Sequence, residues 1–189
     1  MNIRIDVRNI KLETDRLILR PFEENDLVDF NAYAKVEGVG EMAGWPHHKS
    51  LDESKRILDK FILEHHTFAI VHKETNKVIG SLGLEEYNEE HFKAYENQKG
   101  LELGYVLSKD YWGQGLMPEA VHRVIEFLFE EKNLDFITCG HFIQNSQSRR
   151  VIEKNGFHFA CEGVFDGKLG KFEDREYILR KEDYQNGKI

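Results

Sequence analysis

Apolar positions along the chain alternate between short β-rich runs and helical stripes. Leu17, Ile18 and Leu19, set between Arg16 and Arg20, form a strand-like run that stops at Pro21. Glu23-Glu24-Asn25-Asp26 then supplies helix-start chemistry for a segment carrying Leu27, Phe30 and Tyr33. Gly38, Gly40, Gly44 and Pro46 mark 38–50 as a loop, and Ser50 followed by Glu53 has the spacing of a capping box at the start of a second helix. In that helix Ile57, Leu58, Phe61 and Ile62 recur at helical spacing, leaving Asp52, Lys55, Asp59 and Lys60 for water. Residues 67–72 and 77–84 read as strands joined by a turn at Lys73-Glu74-Thr75-Asn76. The highly charged stretch 85–100 interrupts the pattern and is expected to be an exposed excursion between strands.

From 101 onwards the order is strand, glycine turn, helix. Residues 101–107 form the strand, and 118–132 the helix, with Val121, Val124, Ile125, Leu128 and Phe129 on one face. A second such unit follows, with a strand over 136–142 and a short helix over 146–155 closed by Gly156, the residue expected at a left-handed C-terminal cap. The end of the chain reads as strands 157–165 and 171–179 around a turn at Asp166-Gly167.

Length and composition are those of one ordinary globular unit. A net charge of −8 argues against broad nucleic-acid binding, which needs a basic field, but leaves room for a local phosphate site. No apolar stretch is long enough to span a bilayer, and no basic segment followed by an apolar run marks an export signal, so no membrane association is expected and the cytoplasm is the expected compartment. Cys139 and Cys161 make neither a disulfide framework nor a zinc spacing and are expected to be reduced core residues. The pairs His47-His48 and His65-His66 lack accompanying ligands, so solvated histidines and no metal are expected.

The most informative stretch is Tyr111-Trp112-Gly113-Gln114-Gly115-Leu116-Met117-Pro118-Glu119-Ala120, where a strand hands over to a helix. Amides in the first turn of a helix lack internal partners, the helix dipole favours an anion, and glycines allow close backbone approach, so a pyrophosphate would fit. The alternative is a tight connection into a packed helix. Trp112 to Met117 lies on the pattern Q/R-x-x-G-x-G/A, with Gly115 on its first glycine, Trp112 in place of the polar residue and Met117 in place of the final small one. That pattern is the phosphate loop of the GNAT superfamily of acyl-coenzyme A-dependent N-acyltransferases, which the chain resembles. Within it, Tyr111 to Ala120 is similar to the aromatic-Trp-Gly-x-Gly sequence ending in Glu-Ala of the ribosomal-protein N-terminal-alanine acetyltransferases. Thr14-Asp15-Arg16-Leu17-Ile18-Leu19-Arg20, Gly44-Trp45-Pro46, and Asn145-x-x-Ser148 leading to Lys154-Asn155-Gly156-Phe157 resemble the same branch in the same order, so the likeness covers residues 12–180.

The resemblance implies a mixed α/β fold: one N-acetyltransferase domain over 1–189, with a strongly twisted mixed sheet flanked by helices. Its strands at 101 and 136 would be parallel and splayed to admit coenzyme A. It implies contacts to acetyl-coenzyme A from Tyr105, Val106, Leu107, Trp112, Gly113, Gln114, Gly115, Leu116, Met117 and Asn145, and no metal. Acetyl would pass directly to an amine, without a covalent enzyme intermediate. Glu102 is the favoured base, although strand alternation also allows an exposed carboxylate there, and Glu162 is its competitor. Ser148 is the candidate acid for the departing thiolate. Asn145 or Ser146 has the alternative role of capping its helix, and Arg149, Arg150 and Lys154 are within reach of the cofactor's phosphates on this reading, although a basic helical face more often faces solvent, so they stand outside the expected site. Trp45, Pro46, His47 and His48 are expected to border the acceptor pocket. The expected partner is the N-terminus of a ribosomal protein, met by a monomer or homodimer. A small amine such as a polyamine or antibiotic is the enzymatic alternative, and a non-catalytic acyl-coenzyme A-binding module the other. Deprotonating an α-amine of pKa ~8 at pH 7 costs about 1.4 kcal/mol, against about 4.6 kcal/mol for a lysine, so an N-terminal acceptor needs only a weak base.

Overall fold

The computed structural model describes residues 1–187, so the last two residues of the expected 1–189 unit lie outside the description. Its strands are Leu12–Glu13 (β1), Leu17–Pro21 (β2), Thr67–His72 (β3), Lys77–Glu85 (β4), Gly100–Leu107 (β5), Phe136–Phe142 (β6), His158–Gly167 (β7) and Gly170–Arg180 (β8). They form one sheet in the order β1-β2-β3-β4-β5-β6-β8-β7. Every neighbouring pair is antiparallel except β5 and β6. The helices are Leu27–Ala34 (α1), Leu51–Glu64 (α2), Leu116–Glu126 (α3), Ser146–Lys154 (α4) and Lys181–Gln185 (α5). No described helix is long and apolar enough to cross a membrane.

Side-chain alternation gives the sheet two apolar faces. Leu17, Leu19, Phe68, Ile70, Leu82, Leu101, Leu103 and Ile137 point to one side, where Ala120, Val121, Val124 and Ile125 of α3 and Ile152 of α4 cover them. On the other side Ala69, Val71 and Val78 meet Phe30, Tyr33 and Ala34 of α1 and Leu58 of α2. Further along that second face, Phe136 and Ile178 are covered by Tyr87 and Phe92, from the segment between β4 and β5. The Tyr87 ring stands edge-on to Phe136 at 5.0 Å. The charged excursion is therefore not simply exposed. Two aromatic side chains among its acidic residues pin it over the sheet.

Local signals are realised with small shifts. Ser50 accepts the Glu53 amide at 3.1 Å, while the Glu53 carboxylate reaches back past Ser50 to the Lys49 amide at 2.7 Å. α3 starts at Leu116, two residues before Pro118, because the proline's missing N–H falls among first-turn amides that have no helical acceptor. It runs on into a π turn over Phe127–Glu131. The last hairpin turns at Lys168-Leu169 rather than at Asp166-Gly167: Gly167 pairs with Gly170, whose φ of 108° absorbs the reversal. His48 is buried rather than solvated, with Nδ1 2.8 Å from the Ser54 hydroxyl and its ring against Phe30 and Trp45, and burial lowers its pKa. Cys139 is buried as expected, but Cys161 sits half-buried beside a β-bulge of β7.

Phe136→Ala removes a fully buried ring shared by the sheet and the excursion. The loss is expected to cost about 3–5 kcal/mol in urea denaturation. Limited proteolysis should then cut first within 86–99; unchanged stability together with unchanged cleavage would show that the aromatic anchor is not what holds this segment.

Candidate active site

β5 and β6 pair from Gly100↔Phe136 to Glu102↔Thr138 and then part, so from Leu103 and Cys139 onwards their facing edges no longer bond to each other. A cavity of about 680 Å³ opens in this gap. It runs from the Gly113–Pro118 corner, past Tyr105 and Ser148, to Glu102, Asp174 and Glu176.

At the corner, Gly113 and Gly115 both have φ of 75°, a conformation that side chains resist, and this brings the chain round into α3. Among the described residues, the amides of 113–117 donate to no protein acceptor. The corner is held from behind. Glu119 accepts from the Thr14 hydroxyl at 2.5 Å, the Arg16 amide at 3.0 Å and Arg16 Nε at 2.7 Å, while Arg16 Nη1 donates to the Gln114 carbonyl at 2.9 Å. Burial opposes ionisation of Glu119, but these hydrogen bonds win and hold its carboxyl below the usual range. Trp112 Nε1 donates to the Leu107 carbonyl at 2.8 Å, fixing the turn to the end of β5. Arg150 and Lys154 of α4 line the same end of the cavity and form no ion pair among the described residues. Free amides at a helix start beside two free cations fit the phosphates of a coenzyme A.

In the middle, the Tyr105 and Ser148 hydroxyls lie 3.0 Å apart, and Cys139 Sγ is 3.9 Å from the tyrosine oxygen. Burial pushes the Tyr105 hydroxyl and the Cys139 thiol far up, so both stay protonated and the cysteine is no thiolate nucleophile. Asn145 caps α4 through the Ser148 amide at 3.1 Å, and its Nδ2 donates to the Met42 carbonyl at 3.2 Å. Its carbonyl is thus occupied by the helix.

At the far end lies the second face of the sheet. Cross-strand register puts Glu85 and Gly83 of β4, Glu102 and Gly104 of β5, Thr138 and Gly140 of β6, and Asp174 and Glu176 of β8 on that one face. Burial pushes the Glu102 carboxyl up to about 8, the charges of Glu176, Glu85 and Asp174 act in the same sense, and a hydrogen bond from Thr138 opposes them. Asp174 and Glu176 are also raised, by burial first, with His91 pulling the other way. His91 Nδ1 is 3.5 Å from Glu176.

The structure brings together around one cavity Glu102, Tyr105, Val106, Leu107, Trp112, Gly113, Gly115, Leu116, Met117, Asn145 and Ser148. Gln114 is turned outward, its side chain donating to the Asp110 carbonyl at 3.1 Å. Glu162 stands exposed on β7, 3.3 Å from Arg175 and outside the cavity. From the 38–48 loop the cavity receives Val39, Met42 and Ala43, not Trp45 or the histidines. Glu119 lies in the Glu-Ala end of the glycine-turn motif without a role assigned from it, and Asp174, Glu176 and His91 carry no recognisable motif. The only available signal was the i,i+2 spacing of Asp174 and Glu176, which places them on one face of a strand. No cluster of three or more potential metal ligands occurs among the described residues.

Residues 16–158 match the family model described as acetyltransferase (GNAT) domain. Over 181 residues the chain is 25% identical to the uncharacterized N-acetyltransferase YoaA of Bacillus subtilis, covering 93% of this chain and 89% of that protein. Among solved structures it is similar to a ribosomal-protein-S5-alanine acetyltransferase from Vibrio fischeri, at 20% identity and a TM-score of 0.72, covering 93% of this chain and 99% of that one. It is likewise similar to a spermidine N-acetyltransferase chimera of Vibrio cholerae SpeG and hSSAT, at 20% identity and a TM-score of 0.68, covering 91% and 99%. At these identities the two structures bear on the fold.

Two substitutions separate the corner from its support. Gly115→Trp, which crowds the amides, is expected to weaken calorimetric binding of coenzyme A by at least about tenfold. Glu119→Ala, which touches no ligand but frees Arg16 and Thr14, is expected to raise the KM for acetyl-coenzyme A about three- to tenfold. Unchanged affinity in both folded variants would remove this corner from the binding site.

Proposed function

Because the chain belongs to the GNAT acetyltransferase family, we propose that it transfers the acetyl group of acetyl-coenzyme A directly to a primary amine, foremost a protein N-terminal α-amine of the ribosomal-protein-alanine kind, with Glu102 as the base. The observation that carries the reading is the placement of Glu102 where β5 and β6 part, at the end of the cavity away from the free amides. A carboxyl raised to about 8 matches an α-amine of pKa ~8, so the proton moves between them at little cost, whereas a lysine of pKa ~10.4 leaves an uphill transfer of about 3 kcal/mol.

In this scheme the amides of 113–117, with Arg150 and Lys154, hold the phosphates, and the facing edges of β5 and β6 line the path to the reacting end. Glu102 takes the proton from the ammonium. The neutral amine forms its bond to the acetyl carbon as the carbon–sulfur bond breaks, and Ser148 protonates the departing sulfur. The second proton, shed by the nitrogen as the amide forms, returns to the serine through the Tyr105 hydroxyl, 3.0 Å from Ser148 Oγ, so both hydroxyls end protonated. A small cationic amine is the second reading, favoured by the carboxylates of Glu85, Asp174 and Glu176 on the acceptor side. Release of free thiol from acetyl-coenzyme A, measured with N-terminal peptides, lysine peptides and small amines, tests the assignment. Binding of the cofactor with no acceptor-dependent release would mark a non-catalytic module instead.

Glu102→Gln is expected to lower kcat/KM by about 10²–10³-fold at neutral pH and to abolish the rise of kcat/KM as pH approaches 8. It should also stabilise the protein in a pH-dependent way. A carboxyl whose pKa rises from 4.5 to about 8 on folding favours the folded state only while protonated, so the wild type loses stability as pH climbs through that window. Thermal melts should therefore show equal Tm values near pH 4.5 and a Tm several degrees higher for the variant at pH 8. A variant that is no more stable at pH 8 would place Glu102 in water rather than in a desolvated acidic pocket.

A further inference from the structure

The acceptor side of the sheet carries more negative charge than one proton transfer uses. Glu176 and Asp174, two residues apart on β8, are each more than nine-tenths buried, and Glu176 Oε2 and Asp174 Oδ1 have no hydrogen-bond partner among the described residues. Both line the cavity that holds Glu102. On one side of each the sheet is bare: Gly140 is paired with Glu176, and Gly163 with Asp174. A Cβ at Gly163 would fall 2.5 Å from Asp174 Oδ1, and one at Gly140 would lie 3.5 Å from Glu176 Oε2. Each carboxylate thus has a glycine on one side, in space that a larger residue would fill, and a side chain on the other, Cys161 beside Glu176 and Phe142 beside Asp174. His91, at the rim, is the single basic side chain within ion-pair distance of either among the described residues.

Buried carboxylate oxygens without donors are costly, and a cation offsets that cost. The reacting ammonium cannot remain that cation, because it must lose its proton to Glu102 before attack, which leaves Asp174 and Glu176 as they were. We propose that Asp174 and Glu176 form a cation subsite that selects acceptors carrying a second positive charge beside the reacting amine. The inference rests on the reading of Glu102 as the acceptor-side base. Glu176 is two strands and two residues from Glu102, about 12 Å between backbones on ordinary sheet spacing. Side chains converging across that distance bracket two nitrogens about 6–10 Å apart. A lysine immediately after an N-terminal residue, or a free four-carbon diamine, meets this requirement, and the chemistry recognised is the same in both.

The test uses the full chain with acetyl-coenzyme A and matched acceptors: alanine-lysine against alanine-glutamine tetrapeptides, and 1,4-diaminobutane against butylamine. In each pair the dication is expected to have at least about tenfold higher kcat/KM, expressed mainly in KM, and to bind more tightly by calorimetry to the coenzyme A complex. The better of the two dications identifies the source. In the Asp174→Asn/Glu176→Gln variant the preference is expected to fall below about twofold, with a Tm no lower than that of the wild type because the substitutions remove buried charge. Equal kcat/KM within both wild-type pairs, or a preference that survives in the folded variant, would overturn the subsite and leave the acetyltransferase reading intact. Cofactor binding without turnover on any acceptor would instead strike the base assignment, and the calorimetric comparison would still decide the subsite.

Discussion

The parting of β5 from β6 is the constraint on which the rest of the structure depends. Parallel strands inside a sheet normally satisfy each other's backbone groups along their whole length, and leaving such groups unpaired in a protein interior is costly. Here the pairing is kept for three positions, Gly100 to Glu102 against Phe136 to Thr138, and then given up. Two different helices follow the two diverging strands, α3 after β5 and α4 after β6, and their packing on Leu101, Leu103, Ile137 and Cys139 holds the strands apart. The gap is therefore maintained by a well-filled core on one face of the sheet. An extended ligand with amides of its own is the kind of molecule that can replace the missing ladder.

The same divergence organises the electrostatics. One end of the gap meets the start of α3, where unpaired amides and the positive end of the helix dipole coincide with Arg150 and Lys154. The other end meets the face of the sheet that carries Glu102, Asp174 and Glu176. A ligand with an anionic end and a reactive end is oriented by this gradient before any specific contact forms. The acidic end is held at a cost, since its carboxyls are raised by burial and by one another. Stability is given up locally where the proposed chemistry needs a base of near-neutral pKa, a trade that recurs where active sites demand perturbed groups.

The donor corner and Glu102 were expected from the sequence and its family resemblance, and the rest of the acidic face was not, for a physical reason. The proposed phosphate recognition depends on backbone conformation, and backbone conformation leaves marks: glycines at 113 and 115, a proline inside the first turn, a run of apolar residues at helical spacing. The helix and strand order from β2 to β8 was legible on the same grounds, with shifts at Leu116 and at the Lys168-Leu169 turn, where the competing signals were local, while the short terminal elements β1 and α5 were not foreseen. The acidic face depends instead on strand register. Asp174, Glu176 and Glu102 come from strands β8 and β5, separated by β6, and nothing in their local sequence says that they share a face. The aromatic anchors Tyr87 and Phe92 escaped notice for a related reason, being two apolar residues diluted among charges.

Thr14, Arg16 and Glu119 show how far apart in sequence a single local feature can lie. Read separately, the first two belong to the approach to a strand and the third to the exposed turn of a helix. In the fold they form one hydrogen-bonded unit behind the glycine corner, with Arg16 also holding the Gln114 carbonyl. A carboxylate placed in the first turn of a helix competes, by charge, with any phosphate brought to the same amides. Pairing Glu119 with Arg16 removes that competition, because the guanidinium neutralises it and draws it to the rear of the turn. The amides are then left to an external anion, so an acidic residue can follow the proposed phosphate-binding turn this closely without spoiling it.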